Sequence, residues 1–446
     1  MIDAPRPVGA EHWLRQAGAE YWLRDARVPA ALTDAGGEGL TRLDIRVSHG
    51  RIAAIAPAGT APDGVSLDGG QLWPGFVDAH THLDKGHIWP RQPNPTGDFA
   101  GAIGAVMADR GAAWTESDMR ARAEFALRCA YAYGTVAVRT HLDSYLPHAR
   151  TTWPLFAKLR EEWAGRVDLQ LVSIAPLDRF TGDDGVELAD LVAKHGGTLG
   201  MVTRLEGQVH DALPADFQPM LDGFFALAEA RGLALDLHVD ESGESGARAL
   251  REIALTALRR NFRAPIQCGH CCSLSIQPDD FAAETIARVA EAGIRIVVLP
   301  MCNMYLQGRA PGRTPRWRGV TLVHELAAAG VPVSLASDNT RDPFYAYGDM
   351  DMVEVFREAT RILQLDHPIH TWPRAVTALP AAAMGLADRG MIRVGAPADL
   401  VAFRARGWTE FLSRPQTDRV VIRGGRVLET ALPDYRELDA TLGATG

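Results

Sequence analysis

The chain has 446 residues, of which 47% are apolar and 23% are charged, and its formal net charge is −9. This composition is typical of a globular enzyme, and the acidic balance disfavours nucleic acid as a partner because phosphate binding needs a basic face. No stretch approaches the ~18 apolar residues of a membrane helix, and the first residues lack the apolar core of a secretory signal. We therefore expect a cytoplasmic protein that neither binds nucleic acid nor inserts in a membrane.

Both ends of the chain have the pattern of short strands and turns. The stretch LTRLDIRVSHGRIAAIAP alternates apolar and polar residues around His49-Gly50, which predicts a hairpin. Near the C-terminus, ADLVAFRA and RVVIRGGRVLET repeat this pattern around Gly424-Gly425. The pattern predicts one small sheet domain built from residues 1–73 and 391–446, with the first ~18 residues as a loose tail.

The middle of the chain, residues 74–390, alternates strand and helix patterns. Helical periodicity is clear at residues 117–133, 221–232, 283–293 and 322–330. The candidate strands number eight, at residues 75–80, 135–141, 168–174, 199–204, 233–239, 265–270, 294–299 and 332–337. Eight consecutive βα units predict an α/β fold of the (β/α)8 TIM-type barrel class.

Histidine and acidic residues lie where these predicted strands end. The chain has 14 histidines, and five follow or close four of the strands: His80, His82, His141, His238 and His270. Asp338 follows the eighth strand. The carboxyl ends of barrel strands meet at one face, so these side chains are expected to converge. Imidazoles together with one carboxylate suit a divalent ion such as Zn²⁺ or Fe²⁺.

Such a site predicts hydrolytic chemistry. A divalent ion lowers the pKa of a bound water molecule toward ~7, so that it attacks as hydroxide near neutral pH. Glu241, three residues after His238, is suited to carry protons between that water and a leaving group. His270 is suited to orient or deprotonate the water.

The same motifs resemble the amidohydrolase superfamily, specifically its cytosine deaminase branch. The matching stretches, in order, include PGFVDAHTHLDK, VRTHLD, LHVDE, RWRGVTLVHEL, SDNTRDPFYAYG and GAPADLVAF. The resemblance implies a barrel with a flanking β-sandwich and a single metal ion. It also implies that relatives of this kind form homo-oligomers. By their match to the motif, the metal ligands would be His80, His82, His238 and Asp338; Glu241 would protonate the ring and His270 would act on the water. Binuclear relatives carry a lysine after strand four, where this chain has VTRLEG.

Two departures from cytosine deaminase bear on the substrate. After strand three, SIAPLDR replaces a glutamine that reads the pyrimidine, and Asn339 replaces a second aspartate. Loss of a side chain that hydrogen-bonds the substrate strongly changes which substrates an enzyme prefers. Lys85 and the Asp338-Asn339 pair are closer to N-isopropylammelide amidohydrolase, a triazine relative. The further candidate substrate contacts are Asp178, Gln307 and Phe344.

The sequence thus predicts a mononuclear aminohydrolase. It would attack an amidine-type carbon of a nitrogen heterocycle, such as a pyrimidine, an oxo-triazine or a pterin, and release ammonia or a small amine. The alternative is a hydrolase of a cyclic amide or another non-peptide C–N bond. Two other hypotheses are a non-catalytic binder and a redox dithiol at Cys268 and Cys271. The presence of Glu241 and His270 disfavours the first of these, and the absence of a thioredoxin-like pattern disfavours the second.

Overall fold

The computed structural model describes residues 20–208 and 212–443. The predicted loose tail falls outside these residues. The chain divides into two compact units. The first contains the described residues up to Val77, together with Ala130–Val136 and Leu365–Leu432; the second contains Asp78–Cys129, Ala137–Gln364 and the chain from Pro433 onward.

The strands are β1 Glu20–Pro29, β2 Leu40–Ser48, β3 Arg51–Pro57, β4 Val65–Ser66, β5 Leu72–Pro74, β6 Phe76–Thr81, β7 Thr135–Asp143, β8 Asp168–Ile174, β9 Leu235–Val239, β10 Ile266–His270, β11 Arg295–Val298, β12 Val333–Leu335, β13 Leu400–Ala402, β14 Val420–Arg423 and β15 Arg426–Val427. The α-helices are α1 Phe99–Ala113, α2 Glu116–Ala132, α3 Ala149–Trp163, α4 Gly182–Lys194, α5 Phe217–Glu229, α6 Ala249–Arg260, α7 Asp279–Glu291, α8 Pro300–Leu306, α9 Val323–Ala328, α10 Met352–Leu363, α11 Ala378–Ala383, α12 Trp408–Ser413 and α13 Asp439–Leu442. Short 3₁₀ helices lie at Ala30–Leu32, Leu177–Phe180, Cys272–Ile276, Trp372–Val376 and Tyr435–Leu438.

The first unit contains two four-stranded sheets, with strand orders β3-β2-β1-β4 and β15-β14-β13-β5. Both predicted hairpins are confirmed. His49 and Gly50 have φ angles of 48° and 75°, and this left-handed pair is the geometry that a two-residue hairpin turn requires. Side chains from both sheets form one hydrophobic core that includes Leu23, Ile45 and Ile422.

The second unit is built on parallel strands, which form two sheets of order β6-β7-β8 and β12-β11-β10-β9. Single parallel bridges extend this pattern. They join Val172 of β8 to Thr198, Leu199 to Leu235 of β9, and Thr81 of β6 to Asp338 after β12. The strands of this unit therefore follow chain order, and the end of the last lies beside the end of the first.

The fourth predicted strand, residues 199–204, is not a continuous strand. It takes part only in single bridges at Leu199 and Val202. The physical reason lies at Gly200, whose N–H donates to the Ser173 hydroxyl and whose carbonyl accepts from it, both at 2.9 Å. This hydroxyl takes the place of the backbone groups that a strand partner would offer. The other seven strands begin and end within about two residues of the predicted bounds.

The helical patterns are confirmed as α2, α5, α7 and α9. The C-terminal boundary differs from the sequence expectation, which assigned residues 391–446 to the sheet domain. The described residues from Pro433 to Gly443 belong to the second unit. Its anchors include the ion pair between Arg128 and Glu437, with 2.6 Å between nitrogen and oxygen. Among the helices described, none is long and apolar enough to cross a membrane.

The close approach of the backbone around Gly200 can be tested by substitution. A Cβ at residue 200 would lie 2.3 Å from the Ser173 carbonyl oxygen and 2.4 Å from that of Asp236. Because backbone atoms cannot yield cheaply, Gly200→Ala should lower the free energy of unfolding by about 2–4 kcal/mol, measured by urea denaturation. The control is Gly223→Ala in α5, where nothing lies within 4 Å of the added Cβ. That change should be neutral or stabilising by up to about 1 kcal/mol, and equal losses in both variants would contradict the packing argument.

Candidate metal centre and active site

Three imidazoles and one carboxylate converge where β6, β9 and β12 end. The Nε2 atom of His80 lies 3.1 Å from that of His238, which in turn lies 3.2 Å from Nε2 of His82. Asp338 Oδ1 lies 3.2 Å from His82 Nε2 and 3.6 Å from His80 Nε2. All four side chains are buried. The metal ligands expected from the sequence therefore lie in one cluster.

These separations fit a single ion. Donor atoms bound at ~2.0–2.1 Å to one tetrahedral ion lie about 3.3 Å from each other. Within residues 20–208 and 212–443, the buried carboxylate of Asp338 has the Cys302 thiol beside it but no hydrogen-bond donor of ordinary geometry, which is costly for a charged group unless a cation compensates it. Burial and neighbouring positive charges lower the pKa of His80, His82 and His238 well below its usual value. The imidazoles are thus neutral, as metal binding requires.

The backbone at the strand ends has an unusual conformation. His270 and Asp338 have φ angles of 67° and 65°, in the left-handed region that residues other than glycine rarely adopt. Such strain is typical of functional sites held by their surroundings. Beside them, Gly269 leaves room for the imidazole ring of His80, because a Cβ at residue 269 would lie 3.1 Å from His80 Cε1.

A second polar group lies beside the cluster. His270 Nδ1 is 3.3 Å from Glu241 Oε1, so the two predicted catalytic side chains are neighbours. Asn303, in α8, contacts both: its Nδ2 lies 2.9 Å from His270 Nδ1 and donates to Glu241 Oε1 at 3.4 Å. Burial lowers the pKa of His270 to about 3, so its ring is neutral near pH 7. Asn303 was not among the residues predicted from the sequence, although it follows β11 and so fits the strand-end rule used for the other residues.

His141, on β7, lies beside the ligands. Its ring centroid is 4.0 Å from that of His80, and its Nε2 is 3.3 Å from Asp236 Oδ1. Asp236 accepts hydrogen bonds from Arg139 at 2.8 Å and from Gln267 at 2.9 Å. His80 therefore packs against a ring that lies beside a buried charged network.

A cavity opens over this cluster. Its polar base includes His82, His238, Glu241, His270 and Asp338. Its walls carry aromatic, apolar and charged side chains: Lys85, Phe99, Ile103, Val106, Met107, Arg110, Asp143, Tyr145, Ile174, Ala175, Val202, Asn339 and Phe344. Apolar walls combined with a few convergent polar groups are typical of a small-molecule site.

The sequence profile of the amidohydrolase family matches residues 156–430. This chain belongs to the amidohydrolase family.

Several relatives are similar over most of this amidohydrolase. Pterin deaminase from Rhizobium rhizogenes is 54% identical over 417 residues, which cover 92% of this chain and 93% of the relative. The structure of N-isopropylammelide isopropylaminohydrolase from Burkholderia multivorans is 26% identical with a TM-score of 0.73, covering 92% of this chain and 98% of that one. That of 5-methylcytosine deaminase from Klebsiella pneumoniae has a TM-score of 0.78 at 24% identity, covering 93% and 98% of the two chains.

These similarities confirm the resemblance and the class of enzyme expected from the sequence. The protein is a metal-dependent hydrolase of C–N bonds other than peptide bonds, and its activity is the deamination of a nitrogen heterocycle. The fold is a mixed α/β fold of the kind found in amidohydrolase deaminases.

Two predicted substrate contacts of this amidohydrolase do not line the cavity. Asp178, in the 3₁₀ helix Leu177–Phe180, accepts a hydrogen bond from the backbone N–H of Glu206 at 3.2 Å, and the cavity wall at this strand end consists of Ile174 and Ala175. Gln307 is buried and donates to the backbone carbonyl of Glu241 at 3.3 Å, so it supports the loop that carries Glu241. Sequence spacing could not reveal that the side chains of Asp178 and Gln307 do not line the cavity.

The other three predicted contacts, Lys85, Asn339 and Phe344, do line the cavity. Asn339 Nδ2 donates to Asp342 Oδ2 at 2.7 Å, and the Cys302 thiol lies 3.7 Å from its Oδ1. The orientation of the amide is therefore fixed from two sides. Phe344 lies with its ring centroid 5.7 Å from Lys85 Nζ.

Lys85 is held by a buried ionic network. Its Nζ lies 2.6 Å from Asp143 Oδ1, while Arg110 of α1 binds Asp143 Oδ2 at 2.7 Å. Asp84 Oδ2 accepts from the backbone N–H of Asp143 at 2.7 Å. Burial opposes the charge on Lys85, but attraction to Asp143 and Asp84 outweighs it and raises the pKa of Lys85. Lys85 is therefore cationic at the cavity wall. Arg110 was not among the residues predicted from the sequence, because it lies on a helix far from any strand end.

This network predicts a large cost for Lys85→Met. The change would leave Asp143 buried with one cation, Arg110, in place of two. The free energy of unfolding should fall by about 2–4 kcal/mol, measured by urea denaturation.

The matched control is Arg150→Met, which breaks a surface ion pair with Glu187 in which both side chains are about half exposed. Exposed pairs contribute about 1 kcal/mol or less. A loss at Lys85 as small as that at Arg150 would show that the network does not stabilise the fold.

Proposed function

We propose that this amidohydrolase deaminates a pterin. Water replaces the exocyclic amine of 2-amino-4-oxopteridine, which gives the 2,4-dioxopteridine and ammonia. The observation that carries the proposal is the 54% identity with Rhizobium rhizogenes pterin deaminase over 92% of this chain. Of the substrates predicted from the sequence, which were a pyrimidine, an oxo-triazine and a pterin, the pterin is the one we propose.

The cavity supports this substrate. A pterin is a flat bicyclic ring with polar edges, and it needs apolar faces above and below it together with hydrogen-bonding groups around it. Phe344 and Phe99 lie edge to face, with centroids 5.6 Å apart, and both line the cavity. Lys85 and the fixed amide of Asn339 offer donors for an oxo group of the ring. The apolar wall formed by Ile174 and Ala175 takes the place of the glutamine that reads cytosine.

We propose that His80, His82, His238 and Asp338 hold one divalent ion, Zn²⁺ or Fe²⁺. When bound, such an ion activates a water molecule for attack on the ring carbon. The distances between the four donor atoms support a single site. The sequence VTRLEG after strand four, which lacks a bridging lysine, is also in keeping with one ion.

The protein side chains handle the protons. Glu241 takes the proton that the water loses and delivers it to the ring nitrogen; it then carries the remaining proton of the new hydroxyl group to the departing amine, which leaves as ammonia. His270 is neutral and buried next to Glu241, so it orients the water by hydrogen bonding without adding a charge. Asn303 holds both side chains in place through its Nδ2 atom.

We further propose that β6 to β12 and residues 198–202 close into the (β/α)8 barrel, and that the two sheets of the first unit form a β-sandwich. The bridge between Thr81 and Asp338 supports closure, since it joins the last strand end to the first. The core shared by the two four-stranded sheets supports the sandwich. The barrel places the metal cluster at the carboxyl ends of its strands, where this fold carries its active sites.

The test of the function is a comparison of kcat/KM for pterin, cytosine and an alkylamino-dioxotriazine, with ammonia or amine release as the readout. Pterin should exceed cytosine by at least about 100-fold, because an unmatched polar edge is strongly discriminated. Mass spectrometry should show the intact dioxopteridine ring. A ring-opened carboxylate would favour the cyclic-amide alternative, and cytosine turnover equal to that of pterin would contradict the proposal.

Glu241→Gln should lower kcat about 10²–10⁴-fold, since the amide keeps the shape of the side chain but cannot carry the proton. Metal content, measured by elemental analysis, should stay at about one ion per chain. The control is Glu187→Gln, which changes a half-exposed glutamate on α4 and should leave kcat unchanged. A fully active Glu241→Gln enzyme would show that another group carries the proton.

A further inference from the structure

The last described residues of the chain run beside the loop that carries three of the site residues. We define the substrate loop as residues 338–351, which contain Asp338, Asn339 and Phe344, and the C-terminal strap as residues 433–443. Both belong to the second compact unit. The strap includes the 3₁₀ helix Tyr435–Leu438 and the short helix α13.

One strap residue contacts both ends of the substrate loop. The hydroxyl of Tyr435 donates to Asp349 Oδ1 at 2.7 Å, near the end of the loop. The guanidinium carbon of Arg341, near its start, lies 3.9 Å from the centroid of the Tyr435 ring. A cation over a tyrosine face is attracted to it. Tyr435 therefore ties together two loop positions that are eight residues apart in sequence.

Tyr435 itself is held in place. Its ring stacks on Phe125 of α2 with a centroid distance of 5.4 Å and an interplanar angle of 29°. The backbone around it is capped, since Asp434 accepts from the N–H of Arg436 at 2.9 Å and Glu437 accepts from the N–H of Asp434 at 3.0 Å. The stacked ring and the capped backbone therefore support Tyr435 from the strap side.

The loop needs such restraint at the point where Tyr435 contacts it. Arg341 has a φ angle of 48°, an unfavourable conformation for a side chain of its size. Its N–H donates to the carbonyl of Tyr347 at 2.9 Å, and its own carbonyl accepts from Trp89 at 2.9 Å. Within this frame Asp342 accepts from Asn339 and from the N–H of Phe344. A shift of Arg341 would therefore move the two cavity side chains on either side of it.

We propose that Tyr435 is a positioning residue for substrate binding: the C-terminal strap holds the substrate loop so that Asn339 and Phe344 are placed for the ring. This inference rests on the proposed function for its choice of substrate. Tyr435 contacts neither the metal cluster nor the cavity, so its effect is on the binding of the ring and much less on the chemical step.

The test compares Tyr435→Leu, which removes both contacts, with Tyr435→Phe, which removes only the hydrogen bond to Asp349. For the metal-loaded full chain acting on pterin, Tyr435→Leu should raise KM about three- to tenfold with less than a twofold change in kcat, and Tyr435→Phe should give a smaller rise. Amide hydrogen exchange should become faster in residues 339–350 and stay unchanged in residues 266–270. The exchange readout needs no substrate, so it tests the strap even where pterin is not turned over.

Glu437→Gln is the matched control. It breaks the ion pair with Arg128 in the same strap but keeps an amide oxygen that accepts from the N–H of Asp434, so the cap around Tyr435 is retained and KM and loop exchange should match those of the wild type. The proposal is overturned by a folded Tyr435→Leu enzyme with normal KM and normal loop exchange, and equally by a Glu437→Gln enzyme that shows the same changes.

A double-mutant comparison covers the case in which Tyr435→Leu does not fold. Tyr435→Phe and Asp349→Asn weaken the same hydrogen bond, although Asp349 also bonds the Cys129 thiol, so the change in loop exchange in the double variant should be clearly smaller than the sum of the two single changes. Additive effects of the two changes would mean that the residues act separately, and they would overturn the proposal.

Discussion

Lone pairs of three neutral imidazoles and one carboxylate meet at a single buried point, and the rest of the active site depends on this convergence. Buried polar groups without partners are costly, so such a cluster persists only if the surrounding fold holds it and a cation compensates it. The fold meets the first requirement with strand ends that share one face and with a glycine at residue 269 that leaves space for the His80 ring. The left-handed backbone at His270 and Asp338 is a further local cost of this arrangement.

A network of buried ion pairs positions the charged side chains of the cavity wall. Lys85, Arg110 and Asp143 form a buried network in which two cations share one carboxylate. Asp84 is close enough that burial, together with the charge of Asp143, raises its pKa to about 7. Because moving any one of these buried charges would leave another without its partner, the network holds the cationic Lys85 at a fixed place on the cavity wall. Other side chains that line the cavity are apolar or aromatic. A flat heterocycle could therefore hydrogen-bond the lysine with its polar edge and pack its two faces against these side chains.

The proposed role of Tyr435 extends the same principle to a loop. Side chains on loops are placed less accurately than those on strands, and Asn339 and Phe344 lie on a loop. Asp342 organises this loop from within through its bonds to Asn339 and Phe344. Tyr435 restrains it from outside through Arg341 and Asp349. Support from the chain terminus can thus act on ring binding without any contact with the ring.

The sequence by itself determined the parts of this protein that depend on local pattern. Alternating apolar residues and two-residue turns predicted the hairpins, and seven of the eight strands predicted from repeated βα patterns are present as continuous strands. Polar residues at strand ends predicted the cluster of His80, His82, His238 and Asp338, because parallel strands bring their carboxyl ends to one face. Tertiary structure alone decided what depends on side-chain direction and on contacts distant in sequence. It turned Asp178 and Gln307 away from the cavity, and it brought Arg110 to the wall from a helix and Asn303 to Glu241 and His270. It replaced part of a strand ladder with the Ser173 hydroxyl, and it placed Tyr435 against residues almost 100 positions earlier in the chain. No periodicity in the sequence encodes such contacts, since they arise only when separate elements pack.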